Sequence, residues 1–71
     1  MQTYTDINND SWVSEYEYWT DYIDVKFKGN SKIYTYSYSK ASQTHVDTMK
    51  GLADAGDGLN SYIWINKVPC D

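Results

Sequence analysis

Ile23-Asp24-Val25-Lys26-Phe27-Lys28-Gly29-Asn30-Ser31-Lys32-Ile33-Tyr34-Thr35-Tyr36-Ser37-Tyr38 decides how this chain folds. Apolar and polar residues alternate on both sides of Gly29-Asn30, the pattern of two half-buried strands joined by a tight hairpin turn. Opposed residues of an antiparallel pair point the same way, so the loop length sets the face that the tyrosines occupy. A two-residue turn pairs Lys28 with Ser31, Val25 with Tyr34 and Ile23 with Tyr36, and the phenols join the apolar face. A three-residue loop ending at Ser31 would pair Val25 with Thr35 and Phe27 with Ile33, turning the phenols outward. The first register is taken because the preceding segment agrees with it. A Thr20-Asp21 turn sets Tyr18 beside Ile23 and Tyr16 beside Val25 on that same face, with Glu15 opposite Lys26 and Glu17 opposite Asp24 on the other.

Downstream, the apolar spacing changes to three and four. Val46, Met49, Leu52 and Ala53 form one stripe, which predicts an amphipathic helix from Ser42 to Ala55. Ser39 or Ser42 can cap its start, and Gly56-Asp57-Gly58 ends it. Gly51, inside the helix, is read as a close approach to the sheet. The tail Leu59-Asn60-Ser61-Tyr62-Ile63-Trp64-Ile65-Asn66 has the β-branched and aromatic content of a fourth strand, stopped by Pro69. Residues 1–12 form an arm that is flexible or loosely docked, in which Tyr4 and Ile7 are able to dock. The fold class is therefore α+β, a single domain over 13–68. It is a three- to four-stranded antiparallel β-meander with one amphipathic helix packed on one face.

A chain of 71 residues has room for one thin core, since small domains bury only about 60% of the surface they expose when unfolded. Eight Tyr, three Trp and one Phe compensate, because each large ring buries roughly 150–250 Å². The net charge of −4 hides an asymmetry. Asp6, Asp10, Glu15, Glu17, Asp21 and Asp24 fall before residue 25 with no base among them. Lys26, Lys28, Lys32, Lys40 and Lys50 follow against Asp47 alone, and Asp54, Asp57 and Asp71 then outnumber Lys67. Arginine is absent, which removes the side chain best suited to bidentate phosphate contacts. No apolar run approaches the ~20 residues that cross a bilayer, and Met1 to Asp6 lacks the form of a signal peptide. A cytoplasmic, soluble protein is expected. Cys70, the lone cysteine, reads as an inert thiol, with an intermolecular disulfide as the alternative.

Catalytic chemistry is thin. His45 has no nucleophile at a usable spacing and reads as a boundary residue of the helix. Glu15 and Glu17 imitate a carboxylate pair but read as a solvated strand face. Asp54, Asp57 and Asn60 lack the ligand count of a calcium loop. Gly56-Asp57-Gly58 follows a helix instead of opening one, so it is no phosphate cradle. No enzyme activity, cofactor or metal is expected.

The order strand, strand, Tyr-x-Tyr strand, helix, glycine and aromatic tail resembles the KTSC domain, named after the C-terminal domain of some lysyl-tRNA synthetases and also found as short free-standing proteins. The resemblance runs from Glu15 to Lys67. It is carried by Ile23-Asp24-Val25-Lys26-Phe27, Gly29, Tyr34-Thr35-Tyr36, Val46, Leu52, Gly58 and Ile65. It implies the α+β fold above, and RNA binding is the function suggested for that family.

The residues themselves favour a non-catalytic module that binds protein. Glu15, Glu17, Trp19, Asp21, Tyr22, Asp24 and Trp64 are the candidate contact residues, aromatic anchors within an acidic rim. Such a chain suits an acidic, phage-type inhibitor or decoy of a nucleic-acid-binding protein. The alternative is a single-stranded RNA or DNA module that uses Tyr34, Tyr36 and Tyr38 for stacking beside Lys26, Lys28 and Lys32. A Tyr-rich edge strand also allows two copies to pair as a homodimer.

Overall fold

Both hairpins form in the expected register in the computed structural model, which describes residues 1–9 and 11–71. Strands β2 (Val13–Trp19) and β3 (Tyr22–Phe27) pair Tyr16 with Val25 and Tyr18 with Ile23. Strand β4 (Ile33–Ser37) pairs Tyr34 with Val25 and Tyr36 with Ile23. Asn30 N–H donates to the Phe27 carbonyl at 3.3 Å, and Gly29 takes the positive φ of 75° that closes the turn. The Tyr stripe thus faces inward: Tyr36 is only 4% exposed.

The alternation in β2 carries one interruption. Val13 opposes Phe27 and Glu15 opposes Lys26, which leaves Ser14 as an extra residue. That bulge lets Val13 and Tyr16, three positions apart, both reach the core. Ser14 stays tied to the neighbouring strand through its hydroxyl, which donates to the Lys26 carbonyl at 3.1 Å.

The fourth strand is not the one the composition of the tail suggests. β1 (Gln2–Thr3) pairs with Tyr16 and Glu15, so the sheet order is β1-β2-β3-β4 and the extra strand comes from the N-terminal arm. Behind it Tyr4 is buried, its hydroxyl accepting the Leu59 N–H at 3.4 Å, while Ile7 N–H donates to the Gly56 carbonyl at 2.9 Å. Asp10, one of the six acids of the N-terminal third, lies outside the described residues.

The tail is instead a helix, α3 (Leu59–Asn66). β-Branched and aromatic residues fit a strand only where a sheet edge is available, and packing overrides so weak a preference. Here Leu59, Tyr62 and Ile63, at helical spacing, pack on the core. Lys67 ends the helix at φ 49°, and Val68 N–H reaches back to the Ile63 carbonyl at 3.2 Å.

Two further helices precede it. Tyr38 does not extend β4 but opens a single helical turn, α1 (Tyr38–Ala41), and α2 (Gln43–Ala55) follows. Ser42 caps α2 through its hydroxyl, which accepts the His45 N–H at 3.5 Å. Val46, Met49 and Ala53 bury the predicted stripe against Val13, Ile23, Val25 and Tyr36, with Leu52 half-buried beside them. The helices cover one face of the sheet and leave the other open. Gly51 makes no close approach to it, since a Cβ there would meet nothing within 4 Å.

Candidate functional site

Phenol hydroxyls fasten α2 to the inner face of the sheet and to α1. Tyr16 and Tyr18 donate to the two oxygens of Asp54, at 2.9 and 2.6 Å, and Tyr38 donates to Asp47 at 2.6 Å. Lys50 lies over the rings of Tyr18 and Tyr38, 5.4 and 5.3 Å from their centroids, and donates to the Thr20 carbonyl at 2.8 Å. Donation to a carboxylate disfavours losing the phenol proton. Burial and the Asp54 bond push Tyr16 up to about 12. Tyr18 is raised chiefly by its bond to Asp54 and Tyr38 chiefly by its bond to Asp47, while Asp47 is lowered chiefly by the Tyr38 hydroxyl. Asp54 is therefore engaged by phenols, and Asp57 accepts from Asn8 at 2.8 Å. Among the described residues no three His, Cys, Asp or Glu side chains gather as metal ligands would.

His45 sits at a helix boundary, its Nδ1 2.7 Å from the Tyr62 hydroxyl and its ring edge-on to Tyr62. This contact joins α2 to α3.

Two surfaces remain for binding. The first is the open face of the sheet, whose rows follow from the register. Trp19, Tyr22 and Ser37 form one row, Glu17, Asp24 and Thr35 the next, and Glu15, Lys26 and Ile33 the third. Trp19 is 72% exposed and Ile33 is exposed too. Lys26 meets Glu15 at 3.5 Å, Glu17 lies 3.5 Å from the N-terminal amine, and Thr35 donates to Asp24 at 2.6 Å. Asp21 stands exposed in the turn beside Trp19. Six of the seven predicted protein-contact residues are thus brought to this face and its hairpin tip.

Trp64 is not. It projects from α3, beyond the other face of the sheet, and lines the second surface, a groove of about 640 Å³. Trp12, Phe27, Tyr34 and Tyr36 form the sheet side, Asn60, Ile63, Trp64 and Lys67 the α3 side, and Lys28 and Asn30 close the turn end. Phe27 and Tyr34 meet edge to face at 5.4 Å, and Lys32 lies over the Tyr34 ring at 4.9 Å.

The six residues named for nucleic acid are dispersed by the fold. Tyr36 is buried, Tyr38 is bonded to Asp47 on the helices, and Lys26 is on the opposite face. Tyr34, Lys28 and Lys32 stay near one another around the groove, with the buried Tyr36 in its wall. Trp12 and Lys67 were missed. Asn60, Ile63, Trp64 and Lys67 recur at i, i+3, i+4 and i+7, a helical signal within a segment whose composition favours a strand.

At the sheet edge, Asp71 N–H donates to the Thr35 carbonyl at 2.7 Å and its carboxylate accepts from Ser37 at 2.7 Å. The edge that a homodimer would use is occupied there. Cys70 beside it is half-buried and free. No described helix is long and apolar enough to cross a membrane. Comparison with protein-family models, with curated proteins and with solved structures finds no match to this chain.

Proposed function

We propose that this chain is a non-catalytic module that binds a basic protein through the open face of its sheet. The observation that carries the reading is the exposed indole of Trp19, with half-buried Tyr22 in the same row, beside the acidic row of Glu17 and Asp24. A flat sheet face covered by no helix presents a rigid aromatic anchor with carboxylates next to it. Such an arrangement favours a partner with an apolar recess ringed by lysine or arginine. A surface of that kind is common where a protein binds nucleic acid, so the module acts as an inhibitor or decoy of such a protein, in the cytoplasm. The order of elements also supports kinship with the KTSC domain, with the Tyr-x-Tyr strand as the inner wall of the fold.

The test compares wild-type chain with Trp19→Ala and Asp24→Lys as baits, and measures nucleic-acid binding by each recovered partner. A basic partner should be retained by the wild type, lose its nucleic-acid binding when the chain is added, and be released by either substitution. Recovery of the same partners by Trp19→Ala, or partners whose nucleic-acid binding is unchanged, would sink the reading.

A further inference from the structure

The groove between the sheet and α3 carries chemistry that the open face lacks. Two indoles stand at it, Trp12 at 65% and Trp64 at 72% exposure, although apolar side chains of that size are normally covered. Tyr34 adds a third ring, already faced by a cation. Among the described residues, the only charged side chains lining the groove are Lys28 and Lys67, in a chain of net charge −4. Lys28 is partly neutralised by Asp6 at 3.0 Å, and Lys67 has no ion pair among the described residues.

Flat π faces with ammonium groups at the turn end and on the α3 wall together describe a ligand with aromatic rings joined by an anionic link. We propose that the groove binds single-stranded nucleic acid, with bases stacking on Trp64 and Trp12 and phosphates passing Lys32 and Lys67. Every base offers a π face, so stacking of this kind tolerates any sequence. An acidic peptide would match the lysines but would bring one ring at most for each of its anchors. This site is separate from the open sheet face, and its success or failure leaves the protein-binding reading standing. The chain's overall negative charge keeps the affinity low and confines binding to low salt.

Tryptophan fluorescence tests it, with oligouridine and oligothymidine decamers titrated into the whole chain at low salt. Saturable quenching is expected. Trp64→Ala should weaken binding by about tenfold, the loss of one stacked base, and Trp19→Ala, on the opposite face, should leave the affinity unchanged. Lys67→Gln should reduce the slope of log K against log salt by about 0.7, one phosphate contact on a single strand. It carries the test should Trp64→Ala unfold. No quenching at millimolar decamer overturns the proposal, as does an equal loss in Trp19→Ala. Uridine monophosphate binding as tightly as the decamer would make this a free-nucleotide site instead. Displacement of the decamer by a lower concentration of an acidic, tryptophan-containing peptide would assign the groove to protein.

Discussion

Gly51 and Gly56 lie on one helix and are asked for opposite things. Gly51 has helical backbone and open space where a Cβ would stand. Gly51→Ala should therefore raise stability by up to ~1 kcal/mol through the unfolded state and the helix preference, read as a higher urea midpoint. Gly56 takes φ 71°, and a Cβ on it would stand 2.7 Å from Thr5 Cβ. Gly56→Ala should lower stability by about 1–3 kcal/mol, the range for a side chain held in a sparsely populated backbone region, read as a lower urea midpoint. The same pair shows what residue type conceals. The sequence separates them as helix interior and helix end, but the open space at Gly51 and the approach of the N-terminal arm to Gly56 are set by tertiary structure.

At the scale of elements, the meander was legible because alternation, turn residues and register all agree over Tyr16 to Tyr36. The stripe Val46, Met49 and Ala53 was legible for the same reason, since its spacing admits one periodicity. α3 was not, because Tyr62, Ile63, Trp64 and Ile65 are apolar in succession and show no single face without their flanks. β1 was not, because two residues carry no period and their pairing depends on the β2 edge being free. The open sheet face could be read from the register, whereas the groove depended on α3 and so was missed with it. The link between β2 and α2 at Asp54 also escaped, as its partners are 38 and 36 residues away. Asp54→Asn should remove the carboxylate that holds the Tyr18 proton. Tyr18 should then ionise at lower pH than in the wild type, seen in absorbance near the phenolate band, with a lower urea midpoint.

For the whole molecule, the phenols make stability depend on alkaline pH. Tyr16 and Tyr36 are each pushed up to about 12 from 10.0, both chiefly by burial. A raised folded value means that the unfolded chain gives up these protons first. Their contribution is fully present below pH 10 and is lost as pH rises towards 12. Tyr18, Tyr22 and Tyr38 shift in the same direction. Urea midpoints measured across this range should fall steadily above pH 10. Tyr16 and Tyr36 should ionise after Tyr18, Tyr22 and Tyr38. A chain whose midpoint stays level to pH 12 would contradict the burial of that stripe.

The docking of Tyr4 bears on the order in which the chain assembles. Its partner at Leu59 is 55 residues away, and Asn8 reaches Asp57 across 49, whereas the two hairpins close over short spans. Loop closure disfavours early formation of the longest spans, so the meander and α2 form first and the N-terminal segment latches onto them last. Opening should run in reverse. Native-state hydrogen exchange is then expected to release the amides of Tyr4 and Ile7 well before those of Ile23 and Val25, through an opening that leaves β2 to β4 paired. The segment that completes the sheet is also the first to leave it, so the chain starts to unfold from its own beginning.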